Sequence, residues 1–261
     1  EINVLGTIKT IDLASVAKSR KYFSVSTDKA AAPASLMGAS KRVMELALMQ
    51  NSVEVPVSTA RFANVAFSDG SLLYGFKQRL RNKQPISAPV DIQRYFVTQR
   101  EAGELCLMSC LLGRSRDIFF PKESDQMRLT YLHEVALSFL ETHGYEPVLC
   151  ENEQEARARV NDLIARRKWP CYFFASDTSG EKPFEEFFLP GDNIDLARFQ
   201  SIGVIQHPEF ADKASLDFFV ERLEELRHRG RWSKSDIIPL LHTLVPELHH
   251  IDTGKNLDNR M

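Results

Sequence analysis

The sequence is poor in the residues that define disulfide-rich, metal-binding and membrane-spanning proteins. It has four cysteines and seven histidines in 261 residues, without the C-x-x-C or H-E-x-x-H spacing that is typical of zinc sites. No run approaches the roughly 18 apolar residues of a transmembrane helix. We therefore expect reduced thiols, no bound metal, no membrane segment in this part of the chain and a cytoplasmic location.

An excess of charge of either sign is also absent. Lysine and arginine total 33 against 35 aspartates and glutamates, so the net charge is -2. A balanced charge gives no general attraction to nucleic acid or to an anionic membrane. The basic run at residues 157–168 alternates with apolar residues at helical spacing, which favours a solvated helix face over a nucleic-acid site. Local groups must therefore hold any anionic substrate.

A third absence concerns nucleotide binding. The glycine-rich turn G-x-G-x-x-G, which cradles dinucleotide phosphates, does not occur in these residues. The acidic residue that follows such a turn and binds the adenosine ribose is missing as well. The chain therefore lacks the usual cradle for a dinucleotide.

Hydrophobic periodicity predicts an α/β protein with a parallel sheet that helices cover on both faces. Strands and helices alternate as far as residue 121, and a smaller α/β substrate and extension lobe is predicted for residues 122–261. The predicted helices are 2–18, 36–50, 71–82, 99–112, 131–143, 152–168, 212–229 and 233–245. The predicted strands are 21–26, 55–60, 94–97, 117–120, 147–150 and 170–175.

The stretch "VSTDKAAAPASLMGASK", from Val25 to Lys41, carries the polar residues of greatest interest. Thr27, Asp28 and Lys29 follow a β-rich run, so they are predicted at the carboxyl end of a parallel strand, where ligands bind in such sheets. A solvated loop is the alternative for this triplet when it is read alone.

A helix is predicted directly after this triplet. Ser35 can cap its amino terminus, and Met37 and Lys41 then share one helical face at positions i and i+4. Lys41 is thereby placed to reach back toward the triplet. Read alone, the two side chains indicate only a core edge and solvent.

Four segments follow one another along the chain: "NVLGTIKTIDLA", "STDKAAAPASLMGASKR", "ARFANVAFSDGSLLYGFKQRL" and "PVDIQRYFVTQREAGEL". In this order they resemble the extended short-chain dehydrogenase/reductases, and within them the nucleotide-sugar 4,6-dehydratases of bacterial polysaccharide synthesis. The resemblance covers residues 1–120 closely and the remainder loosely. The family usually has a tyrosine four residues before the lysine that corresponds to Lys41. Here Met37 occupies that position, and in this respect the chain resembles a subgroup of the family in which the tyrosine is replaced.

The resemblance implies that the parallel sheet is the carboxyl-terminal portion of a Rossmann-like sheet. It also implies NAD as cofactor and a UDP-N-acetylhexosamine as substrate. The implied product is a 4-keto-6-deoxy sugar, formed by loss of water, which makes the enzyme a lyase. Asp28 would donate a proton to the leaving hydroxyl and Lys29 would accept the C5 proton, while Thr27 would contact the C4 oxygen. Lys41 would hold the nicotinamide ribose, and Met37 would pack against the sugar or nicotinamide. The acceptor of the C4 hydroxyl proton stays open between Asp28, Thr27 and water.

Three further residues are predicted on the substrate side. Asn64, in "RFANV", would contact the sugar or its phosphate, with a capped turn as the alternative. Ser71 opens a helix whose first amides suit a diphosphate. Arg94 is predicted to clamp a phosphate, since a guanidinium donates paired hydrogen bonds to oxyanions.

The resemblance places the glycine-rich turn before Glu1. We therefore expect about a hundred residues or more on the amino-terminal side, on the scale of a half-Rossmann unit. A polypeptide limited to the present residues is expected to bind NAD weakly and to be inactive. Its open sheet edge is expected to pair in a homo-oligomer.

Two other functions compete with dehydration. A 4-epimerase would act on the same UDP-sugars without a dedicated base for the C5 proton. A non-catalytic nucleotide-sugar-binding protein would have lost its chemistry together with the tyrosine. Retention of Asp28, Lys29 and Lys41 favours an enzyme, and "TDK" at a strand end favours elimination.

Overall fold

The computed structural model describes residues 1–124, 127–208 and 210–255. The helices are α1 (Thr7–Val16), α2 (Leu36–Gln50), α3 (Leu72–Arg81), α4 (Gln99–Leu112), α5 (Leu132–Thr142), α6 (Glu153–Ala158), α7 (Val160–Ala165), α8 (Lys213–Arg229) and α9 (Lys234–His242). The strands are β1 (Tyr22–Thr27), β2 (Val57–Phe62), β3 (Asn64–Val65), β4 (Ile86–Pro89), β5 (Gln93–Arg94), β6 (Phe96–Val97), β7 (Asp117–Pro121), β8 (Thr130–Tyr131), β9 (Glu146–Leu149), β10 (Lys168–Phe174), β11 (Ile194–Asp195) and β12 (Ile202–Ile205).

The chain forms two compact units that are interleaved in sequence. The first comprises Glu1–Phe62, Glu101–Ser124 and Glu186–Asp252, and the second comprises Ala63–Arg100, Asp125–Glu185 and Thr253–Met261. The boundary predicted near residue 121 does not separate them. The physical reason is strand pairing: β12 joins β7 in the first unit, and β10 joins β4 in the second.

A five-stranded sheet in the order β1-β2-β7-β12-β11 organises the first unit. The three strands β1, β2 and β7 are parallel, β12 pairs antiparallel with β7, and β11 pairs antiparallel with β12. Every residue of β2 is buried, as expected for a strand with neighbours on both sides. In the part of the chain that the structure describes, β1 lies at the sheet edge, and its pairing in an oligomer stays a prediction.

Two apolar clusters hold the helices of the first unit in place. One joins α2 to α8 and α9 through residues such as Val43, Phe219 and Leu241. The other joins Leu105 of α4 to Phe119 of β7 and Val204 of β12. The first cluster therefore packs α2 against α8 and α9, and the second packs α4 against the sheet.

The second unit contains the three-stranded parallel sheet β4-β10-β9 and two short ladders, β3-β6 and β5-β8. Its core includes Phe76 of α3, Ile86 of β4, Leu140 of α5 and Trp169 of β10. Parallel strands with helices around them confirm the predicted α/β class, including a smaller sheet.

Candidate active site

The predicted triplet lies where the sequence placed it, at the carboxyl end of β1. Thr27 is the last residue of the strand, and Asp28 begins a 3-10 turn that ends at Ala30. The Asp28 Oδ1 atom accepts hydrogen bonds from the Thr27 hydroxyl (2.8 Å), the Lys29 amide (2.8 Å) and the Lys29 Nζ (3.1 Å). The structure therefore assembles Thr27, Asp28 and Lys29 into one hydrogen-bonded group.

The two oxygens of the Asp28 carboxyl group have different surroundings. Among the described residues, none donates a hydrogen bond to Oδ2, although this atom is buried. Asp28 is only 1% exposed, whereas the Lys29 side chain is 25% exposed. A buried oxygen without a donor has an open position for a proton or a polar ligand atom. In this conformation, Thr27 and Lys29 are the members of the group that solvent reaches.

The turn at Asp28–Ala30 packs closely against the first turn of α2. The Ser35 hydroxyl caps this helix by accepting a hydrogen bond from the Gly38 amide at 3.1 Å, as predicted. A Cβ atom at position 38 would lie 2.5 Å from the backbone oxygen of Lys29. Glycine at position 38 is therefore what allows the helix to approach the turn.

Replacing Gly38 with alanine should lower the free energy of unfolding by about 1–3 kcal/mol, because the Lys29 backbone has to move away from the added methyl group. Chemical denaturation of the full-length protein measures this loss. Gly103→Ala in α4 is the matched control, since a Cβ there meets no atom within 4 Å. Equal stability of the Gly38→Ala variant and the native protein would contradict the close packing.

Lys41 reaches back to β1 as the helical spacing predicted. Its Nζ donates a hydrogen bond to the Val25 backbone oxygen at 3.0 Å. Burial lowers the pKa of Lys41 below the usual lysine value, and the nearby Glu45 carboxylate partly opposes this shift. Met37 lies one turn earlier and is 47% exposed, so its thioether is available for packing against a ligand.

A buried ion pair behind this group was missed by the sequence analysis. Glu45 accepts two hydrogen bonds from Arg61, at 3.0 Å from Nε to Oε1 and 2.8 Å from Nη2 to Oε2. Both residues are at most 2% exposed. The pattern that could have revealed Glu45 is a carboxylate inside the apolar run "VMELALM", four residues after Lys41.

Two of the predicted substrate residues have local hydrogen bonds in the second unit. The Asn64 side-chain amide donates to the Tyr95 backbone oxygen at 3.3 Å, and the Asn64 backbone amide bonds the same oxygen at 3.0 Å. The Ser71 hydroxyl accepts from the Tyr74 amide at 3.3 Å and caps α3. The structure thus shows the local roles of Asn64 and Ser71, and their contact with substrate stays a prediction.

Arg94 has its partners within the second unit. Its guanidinium is 5% exposed and donates to the backbone oxygens of Gln93 (2.7 Å) and Lys182 (2.9 Å), and to the Glu181 carboxylate. The Glu185 Oε1 atom lies 3.7 Å from Nη2 of the same guanidinium. Carboxylates and carbonyls contact both Nη atoms of Arg94, which thereby anchors residues 181–185, and its contact with a phosphate stays a prediction.

Two absences hold for the described ranges 1–124, 127–208 and 210–255. No helix there is long and apolar enough to cross a membrane. No group of three or more histidine, cysteine, aspartate or glutamate side chains there is arranged to hold a metal ion.

Comparison with known proteins defines the class. Residues 1–206 match the family described as "Polysaccharide biosynthesis protein". The chain belongs to this family, which agrees with the resemblance seen in "STDKAAAPASLMGASKR".

Individual relatives support the family and the fold. The uncharacterized membrane protein MJ1061 of Methanocaldococcus jannaschii is 32% identical over 210 residues, which cover 78% of this chain and 57% of that protein. Pen from Bacillus thuringiensis has a similar structure, with a TM-score of 0.63, 19% identity, and coverage of 80% of this chain and 59% of Pen. DesIV, a dTDP-glucose 4,6-dehydratase from Streptomyces venezuelae solved with NAD bound, has a TM-score of 0.53 at 16% identity, covering 91% of this chain and 68% of its own.

The similarity to these solved structures shows a Rossmann-like fold. The chain spans a little over half of the length of MJ1061 and of Pen.

Proposed function

We propose that this chain carries the proton-transfer part of a cytoplasmic, NAD-dependent nucleotide-sugar 4,6-dehydratase that acts on a UDP-N-acetylhexosamine, UDP-GlcNAc in the first instance. The observation that supports it most is the hydrogen-bonded group of Thr27, Asp28 and Lys29 at the carboxyl end of β1. An adjacent acid and amine at that edge suit an elimination, which needs both a proton donor and a proton acceptor. Membership of a polysaccharide biosynthesis family supports a sugar substrate.

The residues around Lys41 fit the nicotinamide end of NAD. The Lys41 ammonium has three donors, and the Val25 backbone oxygen and the Met44 sulfur account for two of its contacts. A donor therefore remains for a ribose hydroxyl, with the exposed Met37 beside it to pack against a flat ring. NAD bound in the structurally similar DesIV supports the same cofactor here. When bound, NAD supplies a reversible hydride acceptor, and the chain supplies acid, base and positioning.

Lys29 and Asp28 would carry out the two proton transfers of the elimination. Once C4 is a ketone, the C5 proton is acidic, and a neutral Lys29 amine takes it. The hydroxyl at C6 leaves as water after it accepts a proton from a protonated Asp28. The resulting ammonium and carboxylate are the ion pair seen in the structure, 3.1 Å apart. As C6 is reduced, the Lys29 ammonium would return its proton to C5, and the proton released from the C4 hydroxyl would reprotonate Asp28, directly or through Thr27 or water, so protons balance over the cycle.

The buried position of Asp28 sets a condition on this mechanism. At 1% exposure, its carboxyl group reaches the C6 hydroxyl only if the turn at Asp28–Ala30 shifts when substrate binds. Thr27 would meanwhile donate to the C4 oxygen from the end of β1. In the second unit, Asn64 and Ser71 are retained as proposed substrate contacts, Ser71 because it begins a helix whose first amides attract phosphate.

The test is a mass spectrum of UDP-GlcNAc after incubation with the full-length protein and NAD. The proposal expects a nucleotide sugar lighter by one water. A product of unchanged mass with inverted C4 configuration would replace dehydration with epimerisation. Tight UDP-sugar binding with no conversion would instead establish a non-catalytic binding protein.

A further inference from the structure

The buried pair Glu45–Arg61 lies at the junction of the elements that carry the candidate catalytic groups. Ser26 of β1 donates a hydrogen bond to Glu45 Oε1 at 2.6 Å, and Ser26 is paired in register with Arg61 of β2. Glu45 itself belongs to α2. One carboxylate therefore ties together two strands and a helix.

The spacing along the chain relates this junction to the site. Ser26 immediately precedes Thr27, and Glu45 follows Lys41 by one helical turn. Any movement of Glu45 relative to β1 would change the distance between Lys41 and the end of β1. The Glu45–Arg61 pair thus connects α2, which carries Lys41, with the end of β1, which carries Thr27.

Charges around the pair alternate in sign. Glu45 faces Arg61 from β2 and Arg42 from its own helix, whose guanidinium lies 3.6 Å from Oε2 and also contacts Glu247. Arg61 interacts electrostatically with Asp192 and with Asp28. Burial alone would raise the pKa of Glu45, but the charge and hydrogen bonds of Arg61, with help from Arg42 and Ser26, lower it. Glu45 therefore stays ionised and adds its field to the half-buried Lys41.

We propose that Glu45 and Arg61 are positioning residues of the active site, which fix the end of β1 against α2 and couple the charge of Lys41 to that of Asp28 and Lys29. This inference rests on the proposed function for its kinetic consequence. Its electrostatic consequence is independent of turnover, because Lys41 can be titrated by chemical labelling. The titration of Lys41 and the turnover rate therefore test the electrostatic and the kinetic consequence independently.

Competitive acetylation of the full-length protein, quantified at Lys41 by peptide mass spectrometry over a pH series, measures the electrostatic part. Glu45→Gln removes the carboxylate that favours the charged amine, so the Lys41 labelling midpoint should move to lower pH. Glu247→Gln is the matched control, since it removes a carboxylate that contacts Arg42 and leaves Glu45 and Arg61 in place. Its Lys41 profile should coincide with that of the native protein.

Arg61→Lys separates charge from geometry. It keeps the positive charge beside Glu45 and loses the paired hydrogen bonds, so Lys41 labelling should stay near the native profile while kcat on UDP-GlcNAc falls about 10²-fold, the scale of a small misplacement of reacting groups. An unshifted Lys41 profile in a folded Glu45→Gln variant would overturn the proposal. If that variant does not fold, native kcat in Arg61→Lys would overturn it equally. Absence of any native turnover would count against the proposed function and leave the labelling result to decide the coupling.

Discussion

Replacing Arg61 with methionine should lower the free energy of unfolding by about 3–5 kcal/mol at neutral pH, the usual cost of breaking a buried ion pair on one side. The variant leaves Glu45 at 1% exposure without its Arg61 partner, and it also removes the hydrogen bond that Arg61 Nη1 donates to the Phe187 backbone oxygen at 2.6 Å. Urea denaturation of the full-length protein, followed by circular dichroism, measures the loss.

The pH dependence of this loss has a defined sign. Because the folded state lowers the pKa of Glu45, its contribution is present above the unfolded glutamate value of about 4.3 and disappears as pH falls through the folded pKa. The difference between native protein and Arg61→Met should therefore shrink on acidification. Arg222→Met is the control in the same unit, since its ion pair with Glu225 is half-exposed and should contribute at most about 1 kcal/mol. A loss in Arg61→Met no larger than in Arg222→Met would contradict the buried network.

Local sequence patterns predicted the elements that position the site. The helix predicted at 36–50 coincides with α2, because Ser35 supplies a cap and the apolar residues recur at helical spacing. The strand predicted at 21–26 corresponds to β1, which ends one residue later at Thr27. Caps and periodicity depend on neighbouring residues, so a single sequence reveals them.

Long-range pairing accounts for what the sequence analysis missed. Arg94 finds its partners 87 and 88 residues further along the chain, at Glu181 and Lys182, so its local motif could not show that its donors are occupied. Likewise β12 returns to pair antiparallel with β7 after an excursion through the second unit. Glu45 and Arg61 lie on different elements, and neither segment alone predicts their pairing.

Among all substitutions, Lys29→Ala and Asp28→Asn should have the largest effect on catalysis. Each removes one proton-transfer group, and a positioned acid or base contributes about 10²–10⁴-fold to rate. Dehydrated product from UDP-GlcNAc should fall by that factor in either variant, as measured by mass spectrometry. Asp28→Asn is close in shape to the native residue, so its loss would reflect the missing proton and not a cavity.

Isotope exchange separates the two roles. In deuterated water, the native enzyme should place solvent deuterium at C5 of the recovered sugars, because its base exchanges the proton it removes. Lys29→Ala should lose this exchange, whereas Asp28→Asn should retain more of it, since the acid acts only when the C6 hydroxyl leaves. The matched controls are Lys9→Ala and Asp12→Asn, two exposed positions in α1 of the same unit. If Lys29 and Asp28 only formed a turn between β1 and α2, their replacement would not change turnover. Native rates in both Lys29→Ala and Asp28→Asn would therefore show that other groups carry out the proton transfers.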